Sequence, residues 1–160
     1  MISDKKRKWI LGVLAAVLIA APFVLLSGWT LDSIQEKVRV GVESGQVEPW
    51  MPLWQARVAY VYRYTMRDES SARAFRRYMR YFYDAEQRGD DSVARERAAD
   101  AIYGYAGVLD DLNRRAEANW YLAIFLKDTP EHDDLKRAEA RSYELQRTWG
   151  APTQPPDEDD

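Results

Sequence analysis

Hydrophobic positions along the chain form one long uncharged run, followed by shorter stretches in which apolar residues recur at helical spacing. The run covers residues 9–29, WILGVLAAVLIAAPFVLLSGW, and contains no charged side chain. At the rise of an α-helix this length spans about 30 Å, the thickness of the hydrocarbon core of a bilayer. The pattern predicts a membrane-spanning helix with a tryptophan at each end, where amphipathic rings prefer the headgroup level.

The basic N-terminus, residues 1–8, predicts the orientation of this segment, because cytoplasmic flanks are rich in Lys and Arg. The expected topology is a cytoplasmic N-terminus, a single-pass signal anchor and an extracytoplasmic C-terminal domain, which would be periplasmic in a bacterium. The alternative is a cleaved signal peptide, whose apolar region is normally shorter and ends in a small-x-small site. Val17, Ile19 or Leu26 stands where the candidate sites need a small residue, which favours the anchor.

Small residues occupy one face of the predicted span: Gly12, Ala16 and Ala20 lie four residues apart. Such spacing allows a second membrane helix to approach closely. Small residues are also common in membrane helices that make no such contact, so both interpretations stand.

Residues 30–48 connect the predicted span to the rest of the chain, and their hydrophobic pattern is ambiguous. Leu31, Ile34 and Val38 fit a helical stripe, whereas the valines from position 38 to position 42 fit the alternation of a strand. Two glycines and Pro49 favour a break before the next helix. We expect a short helical continuation and then a loop.

Five helical segments are predicted in residues 49–150, with turn signals between them and no convincing strand pattern. They begin near Trp50, after the cluster RDESS, near Asp91 or Ser92, at Asn113 and after Pro130. Their expected apolar faces contain Val58, Val61 and Thr65; Phe75, Met79 and Phe82; Ala94, Ala98, Ala101, Ile102, Tyr105, Val108, Leu109 and Leu112; Ala118, Leu122 and Phe125; and Leu135, Ala138, Tyr143, Leu145 and Trp149. The predicted fold class is all-α, and the acidic tail, residues 151–160, is expected to be disordered.

The composition, 46% apolar and 31% charged, is that of one small globular domain. The net charge of -3 hides a basic start and an acidic end, and the body between them is nearly neutral. A body without a basic footprint gives no reason to expect nucleic acid as a partner. The absence of cysteine excludes disulfides, thiolate catalysis and cysteine metal sites.

The third and fourth predicted helices carry the spacing of a tetratricopeptide repeat (TPR). The matching positions are Ile102, Tyr105, Ala106, Leu109, Ala118, Leu122 and Pro130. Their gaps are those of the pattern W-x2-L-G-x2-Y, then A-x3-F, then P, and the residue classes agree. Only Ala118 and Pro130 are the consensus residues themselves. Residues 99–132 therefore resemble one degenerate TPR.

The resemblance implies a short TPR-like array of antiparallel helical hairpins, about five helices in all, with a groove that holds a protein partner. Ala140 and Tyr143 keep the spacing of a following first helix. Ala74 and Tyr78 echo the small and large positions of the fourth helix. Ala74 precedes Ala118 by 44 residues (118 - 74) rather than 34, so we expect a longer second helix and loop there.

Residues able to do chemistry are few. His132 lies among acidic residues and could bind a metal weakly, but such a cluster is more typical of a solvated helix start. Asp110 and Asp111 are adjacent on a helix, so their carboxylates point in different directions. Gly104 and Gly107 follow no strand and form no phosphate loop; they are expected to allow close helix packing. We expect no enzyme activity, cofactor, metal or small-molecule substrate.

Arginines form a basic stripe on the second predicted helix. Its members are Arg73, Arg76, Arg77 and Arg80, and Arg88 continues it. Most such stripes are solvated helix faces, and the alternative is contact with an acidic partner or lipid headgroups. Arg73, Arg77 and Arg80 are therefore candidate partner contacts.

Aromatic residues exceed what so short an array can bury. Trp50 and Trp54 are expected near the membrane exit, where the bilayer interface or another subunit would cover them. Trp120 and Tyr121 lie on the fourth helix, which has no wholly polar face. These four are also candidate partner contacts, although core packing is the usual role of aromatics at helical spacing.

The sequence therefore predicts a single-pass, membrane-anchored, TPR-like scaffold that acts as an accessory subunit of a membrane-associated complex through protein–protein interaction. The alternative is a small structural subunit of a large integral-membrane complex, respiratory or photosynthetic, held mainly by its transmembrane helix.

Overall fold

The computed structural model describes residues 27–152, and this part of the chain consists of helices and short connections without any strand. The helices are α1 (Gly28–Glu43), α2 (Met51–Tyr64), α3 (Asp68–Tyr78), α4 (Asp84–Arg88), α5 (Ser92–Asp111), α6 (Arg115–Asp128) and α7 (Leu135–Trp149). A π-helical stretch, Met79–Tyr83, joins α3 to α4 without a break. The prediction of an all-α fold is confirmed.

The predicted membrane span lies almost wholly outside the described residues, and Gly12, Ala16 and Ala20 with it. Residues 1–8 and 153–160 lie outside them as well. Among residues 27–152, no helix combines the length and the apolar character that crossing a bilayer requires.

The predicted connector contains α1 and a turn, in agreement with a helical continuation followed by a loop. Leu31 and Val38 on α1 are almost completely buried in the same core as the later helices. The packed unit therefore includes α1 and begins before position 49.

The helices pack mainly in the order of the sequence. α1 contacts α2, α2 contacts the continuous α3–α4 rod, the rod contacts α5, and α6 and α7 follow in turn. α2 and α3 form the first hairpin, and α5 and α6 form the second. Their first helices, α2 and α5, also contact each other. Each helix thus covers its predecessor, as in a stack of hairpins.

Side-chain contacts fix the directions of the helices. Tyr62 near the end of α2 donates a hydrogen bond of 2.5 Å to Asp32 near the start of α1. Arg63 lies 3.5 Å from Asp111, so α5 ends beside the end of α2. The start of α1, the α2–α3 turn and the α5–α6 turn therefore lie at one end of the stack, which we name the anchor end because the expected membrane anchor precedes α1 in the sequence.

The two hairpin turns have the same geometry. Each first helix ends in a Schellman motif, with a left-handed residue at Met66 (φ 57°) or Asn113 (φ 65°). The next amide, of Arg67 or Arg114, donates back to a carbonyl five residues earlier at 2.9 and 2.8 Å, respectively. Asparagine is common at this position, whereas a left-handed backbone costs an ordinary L-residue such as Met66 roughly 1 kcal/mol.

When Met66 is aligned with Asn113, each residue of the first hairpin corresponds to the residue 47 positions later in the second (113 - 66). Ser71 then corresponds to Ala118, and Phe75 corresponds to Leu122. Ser71 Oγ donates to the carbonyl of Ala59 at 2.8 Å, which shows how closely the two helices approach at this small residue. The sequence predicted that Ala74 is the residue equivalent to Ala118. In the structure the equivalent residue is Ser71, so the predicted position is wrong by three residues.

The register explains which motif residues are buried. The equivalent pairs are Gln55 and Ile102, Val58 and Tyr105, Ala59 and Ala106, Tyr62 and Leu109, Ser71 and Ala118, and Phe75 and Leu122, and every one of these residues is buried. The motif positions therefore form the interior of both hairpins.

The last helix uses a different face from the one expected. Ala138, Ser142 and Leu145 are buried on α7, whereas Ala140 and Tyr143 are exposed. The expected continuation of the repeat spacing through Ala140 and Tyr143 is therefore wrong. Ser142 is buried because its hydroxyl donates to Asn119 on α6 at 2.8 Å, which satisfies its hydrogen bond.

Gly104 and Gly107 on α5 receive side chains from α2 and α3. A Cβ atom at Gly104 would lie 2.7 Å from the hydroxyl of Tyr60 and 3.0 Å from the ring of Phe75. A Cβ atom at Gly107 would lie 2.7 Å from the guanidinium of Arg63. Both glycines thus allow close packing, but the expected cause, close backbone approach of the paired helix α6, is wrong: side chains of α2 and α3 occupy the space instead.

Candidate partner-binding surface

A polar cleft lies between α1 and α3, which we name the α1–α3 cleft. It has a volume of about 440 Å³ and is lined by Asp32, Gln35, Glu36, Tyr62, Ser70, Arg73 and Arg77. Because α1 crosses both α2 and α3 here, residues of the predicted connector form one wall. This wall was not predicted from the sequence, although Asp32, Gln35 and Glu36 recur on one face at helical spacing.

Hydrogen bonds organise the floor of the cleft. Tyr62 donates to Asp32, and Gln35 Nε2 donates to the hydroxyl of Tyr62 at 3.3 Å. Arg77 Nη1 donates to Gln35 Oε1 at 3.2 Å. Burial, followed by the hydrogen bond to Asp32, raises the pKa of Tyr62 to about 12, so the phenol is neutral at physiological pH.

The predicted basic stripe is divided by the fold. Arg73 is exposed and contacts Ser70 at 3.4 Å, while Arg77 is half-buried against α1. Arg80 lies further along the rod and is exposed, but it does not line the cleft. Arg73 and Arg77 thus line the cleft together with the carboxylates of Asp32 and Glu36.

An apolar groove, which we name the Trp50 groove, lies at the other end of α1. Its volume is about 370 Å³, and Val40, Gly41, Trp50 and Met51 contribute its apolar lining. Trp54 is 40% exposed and Val47 is 54% exposed beside it. Large apolar side chains gathered around an open groove are typical of a protein-binding surface.

The Trp50 groove lies away from the anchor end. Since the end of α2 lies beside the start of α1, the start of α2 with Trp50 and Trp54 lies beside the end of α1. The 16 residues of α1 separate the two ends by roughly 24 Å. Their expected position near the membrane exit stays a prediction, because the expected span lies almost wholly outside the described residues.

Glu36 lines both the cleft and the groove. The two sites are therefore neighbours along α1, one lined by two arginines and two carboxylates and the other by aromatic and aliphatic side chains. Glu36 itself is paired with Arg39, which lowers the pKa of its carboxyl.

The aromatic residues of α6 are largely covered by the chain itself. Tyr121 packs against Tyr105 with ring centroids 4.6 Å apart, and burial raises its pKa. Ile124 also packs against the core, while Trp120 is half-buried. These residues lie on a different helix from the Trp50 groove, so the structure does not bring all the candidate contacts together.

An acidic pocket of about 570 Å³ lies around His132. His132 Nε2 lies 3.3 Å from Asp100, its Nδ1 accepts from the amide of Asp134 at 3.2 Å, and its ring packs edge-on against Phe125. No group of three metal ligands occurs within residues 27–152. The histidine therefore joins the α6–α7 connection to α5.

The adjacent aspartates near the end of α5 form separate ion pairs. Asp110 accepts from Arg141 Nε on α7 at 2.7 Å, and Asp111 lies beside Arg63 on α2. The two carboxylates thus face different helices, as the sequence predicted.

The chain matches no protein-family model, and comparisons with curated proteins and with solved structures give no match.

Proposed function

We propose that the chain is a single-pass, membrane-anchored, TPR-like scaffold that binds a protein partner as an accessory subunit of a membrane-associated complex. The proposal is carried by the Trp50 groove, where Trp50, Trp54 and their neighbours expose apolar surface around a concave site. Tryptophan is enriched among the residues that dominate the free energy of protein–protein binding.

The TPR-like part of the proposal rests on the common register of the two hairpins. Both have the same Schellman turn, and their motif positions are buried pair by pair. α7 then follows as a third first helix, packed on α6. Stacked hairpins of this kind expose extended surfaces to partners.

The neighbouring cleft defines the chemistry of the partner. A segment that places an aliphatic or aromatic side chain in the Trp50 groove and a carboxylate near Arg73 and Arg77 complements both sites along α1. The partner is therefore a protein segment in which apolar and acidic residues alternate within a short distance.

Photo-cross-linking tests this surface. With p-benzoylphenylalanine at position 54 in the full-length chain, we expect a discrete cross-linked product in native membranes. Adding Trp50→Ala should reduce its yield at least tenfold, because loss of a central tryptophan costs about 2 kcal/mol of binding free energy. Position 143, an exposed tyrosine on α7, is the matched control and should give no such product. Equal products at both positions would contradict the proposal.

The proposed topology has an independent test. The chain contains no cysteine, so single cysteines introduced at position 3 and at the exposed position 140 report directly on sidedness. A membrane-impermeant maleimide should label position 140 from the extracytoplasmic side and position 3 only after the membrane is opened. Labelling of both positions from the same side would contradict the anchor.

A further inference from the structure

Large apolar side chains project from the anchor end without cover from the described chain. Trp29 is 79% exposed, Tyr64 is 82% exposed and Met66 is 89% exposed. They belong to the start of α1 and to the α2–α3 turn, which adjoin, because a Cβ atom at Gly28 would lie 3.3 Å from the guanidinium of Arg67. We name Trp29, Tyr64 and Met66 the anchor-end patch.

Met66 is the most unusual member of this patch. Its backbone is left-handed, a conformation that favours glycine or asparagine, and the equivalent turn of the second hairpin has asparagine at this position. The turn conformation does not favour methionine, and the side chain is too exposed for burial to stabilise it. An exposed, conformationally disfavoured apolar residue at a turn tip indicates a contact outside the folded domain.

The sequence before the described residues indicates what makes that contact. Residues 9–26 carry no charge and lead directly into Ser27 at the start of α1. The chain therefore joins its most apolar segment at the same end that exposes the patch. Tyrosine and tryptophan favour the boundary between headgroups and acyl chains, where a ring can be partly dry and partly wet.

We infer that the anchor-end patch inserts into the headgroup–acyl boundary of the bilayer, with Met66 as the deepest point of the α2–α3 turn. This inference rests on the membrane anchor of the proposed function.

The charges near the anchor-end patch are mixed: Arg67 is followed at once by Asp68 and Glu69 in the first turn of α3. Insertion therefore depends on apolar contact and does not require anionic lipid.

This contact gives the domain a defined orientation. With both the start of α1 and the α2–α3 turn on the bilayer, α1 and α2 stand away from the membrane. The Trp50 groove at the far end of α1 then faces a partner roughly 24 Å above the lipid surface.

Depth-dependent quenching tests the contact in the full-length chain. Met66→Cys is labelled with the fluorophore NBD and reconstituted into phosphatidylcholine liposomes, and quenching by lipid carrying a nitroxide at acyl carbon 5 is compared with quenching by aqueous iodide. Val93→Cys, exposed at the start of α5 on the opposite end of the stack, is the matched control. We expect the ratio of lipid to iodide quenching to be at least threefold higher at position 66 than at position 93.

The outcomes separate the contact from the anchor. If the protein floats with the liposomes but position 66 is quenched like position 93, the contact is overturned and the anchor stands. Shielding of position 66 from both quenchers also overturns it, because a second copy of the chain would then cover the patch. If the protein does not float, the anchor itself fails, and the inference fails with it. Trp29→Cys provides a second label, expected to behave like position 66.

Discussion

Replacing Glu86 by alanine is expected to lower the free energy of unfolding by about 3 kcal/mol, because the buried phenol of Tyr78 and the partly buried guanidinium of Arg97 lose their common partner. Glu86 accepts hydrogen bonds from Tyr78 on α3 and from Arg97 on α5, whose single Nε–H is shared between the two carboxylate oxygens at 3.1 Å and whose Nη2 also donates. Its side chain is 9% exposed, and Tyr78 is fully buried. The Glu86 carboxylate thus links α3 and α4, which lie on the two sides of the π-helical stretch, to α5.

Thermal unfolding of the full-length protein in detergent measures this effect. For a domain of this size, about 3 kcal/mol corresponds to a fall in Tm of roughly 10 °C. Asp84→Ala is the matched control, since it removes an ion pair with Arg88 in which both side chains are largely exposed, and it should change Tm by less than about 2 °C. Similar shifts for the two variants would show that the Glu86 contacts do not stabilise the rod.

Substituting leucine for Ala118 is expected to lower the free energy of unfolding by about 2 kcal/mol or more through overpacking. Ala118 is fully buried and occupies the same place in the second hairpin that Ser71 occupies in the first. The 2.8 Å hydrogen bond from Ser71 to Ala59 shows that the paired helices leave no room for a longer side chain at this level.

Ala140→Leu provides the comparison for Ala118→Leu. Both replace an alanine inside a helix, but Ala140 is exposed on α7, so its substitution should change the free energy of unfolding by less than about 0.5 kcal/mol. Urea unfolding followed by circular dichroism gives both values. If Ala140→Leu destabilised the protein as strongly as Ala118→Leu, the proposed register of the hairpins would be wrong.

The parts of the fold that follow simple rules are readable from the sequence. The apolar stripe of α5 is regular, Asp91 caps that helix through a 3.0 Å bond to the amide of Val93, and Asn113 takes the left-handed turn position that suits it. The prediction of α5, of α6 and of the turn between them is therefore confirmed.

The first hairpin is predicted from the sequence, but its repeat register is not, because polar residues occupy its interior. Gln55 and Ser71 are fully buried, and each donates to a backbone carbonyl of the partner helix, at 2.8 Å in both cases. A repeat motif defined by apolar residues does not include either position. It is also misled at Met66, where a large apolar residue marks a turn rather than a helix face.

The candidate surface depends on relations that the sequence does not contain. Trp50 and Trp54 follow the connector directly, but the sequence leaves open that α1 is a straight helix of 16 residues, which places them roughly 24 Å from its start. The hydrophobic periodicity of residues 30–48 likewise leaves open whether α1 packs on the domain. Leu31 and Val38 are identified as core residues only when α2 is placed beside them.

The packing of each helix on its predecessor has a consequence for how the chain folds. Contacts between helices that are adjacent in sequence close only short loops. They therefore form rapidly and do not require the C-terminal helices to be present. A chain delivered from its N-terminus across a membrane would find α1 ready to receive α2, and the first hairpin ready to receive α5. Folding can therefore proceed vectorially during synthesis, with little exposure of unpaired apolar surface at any stage.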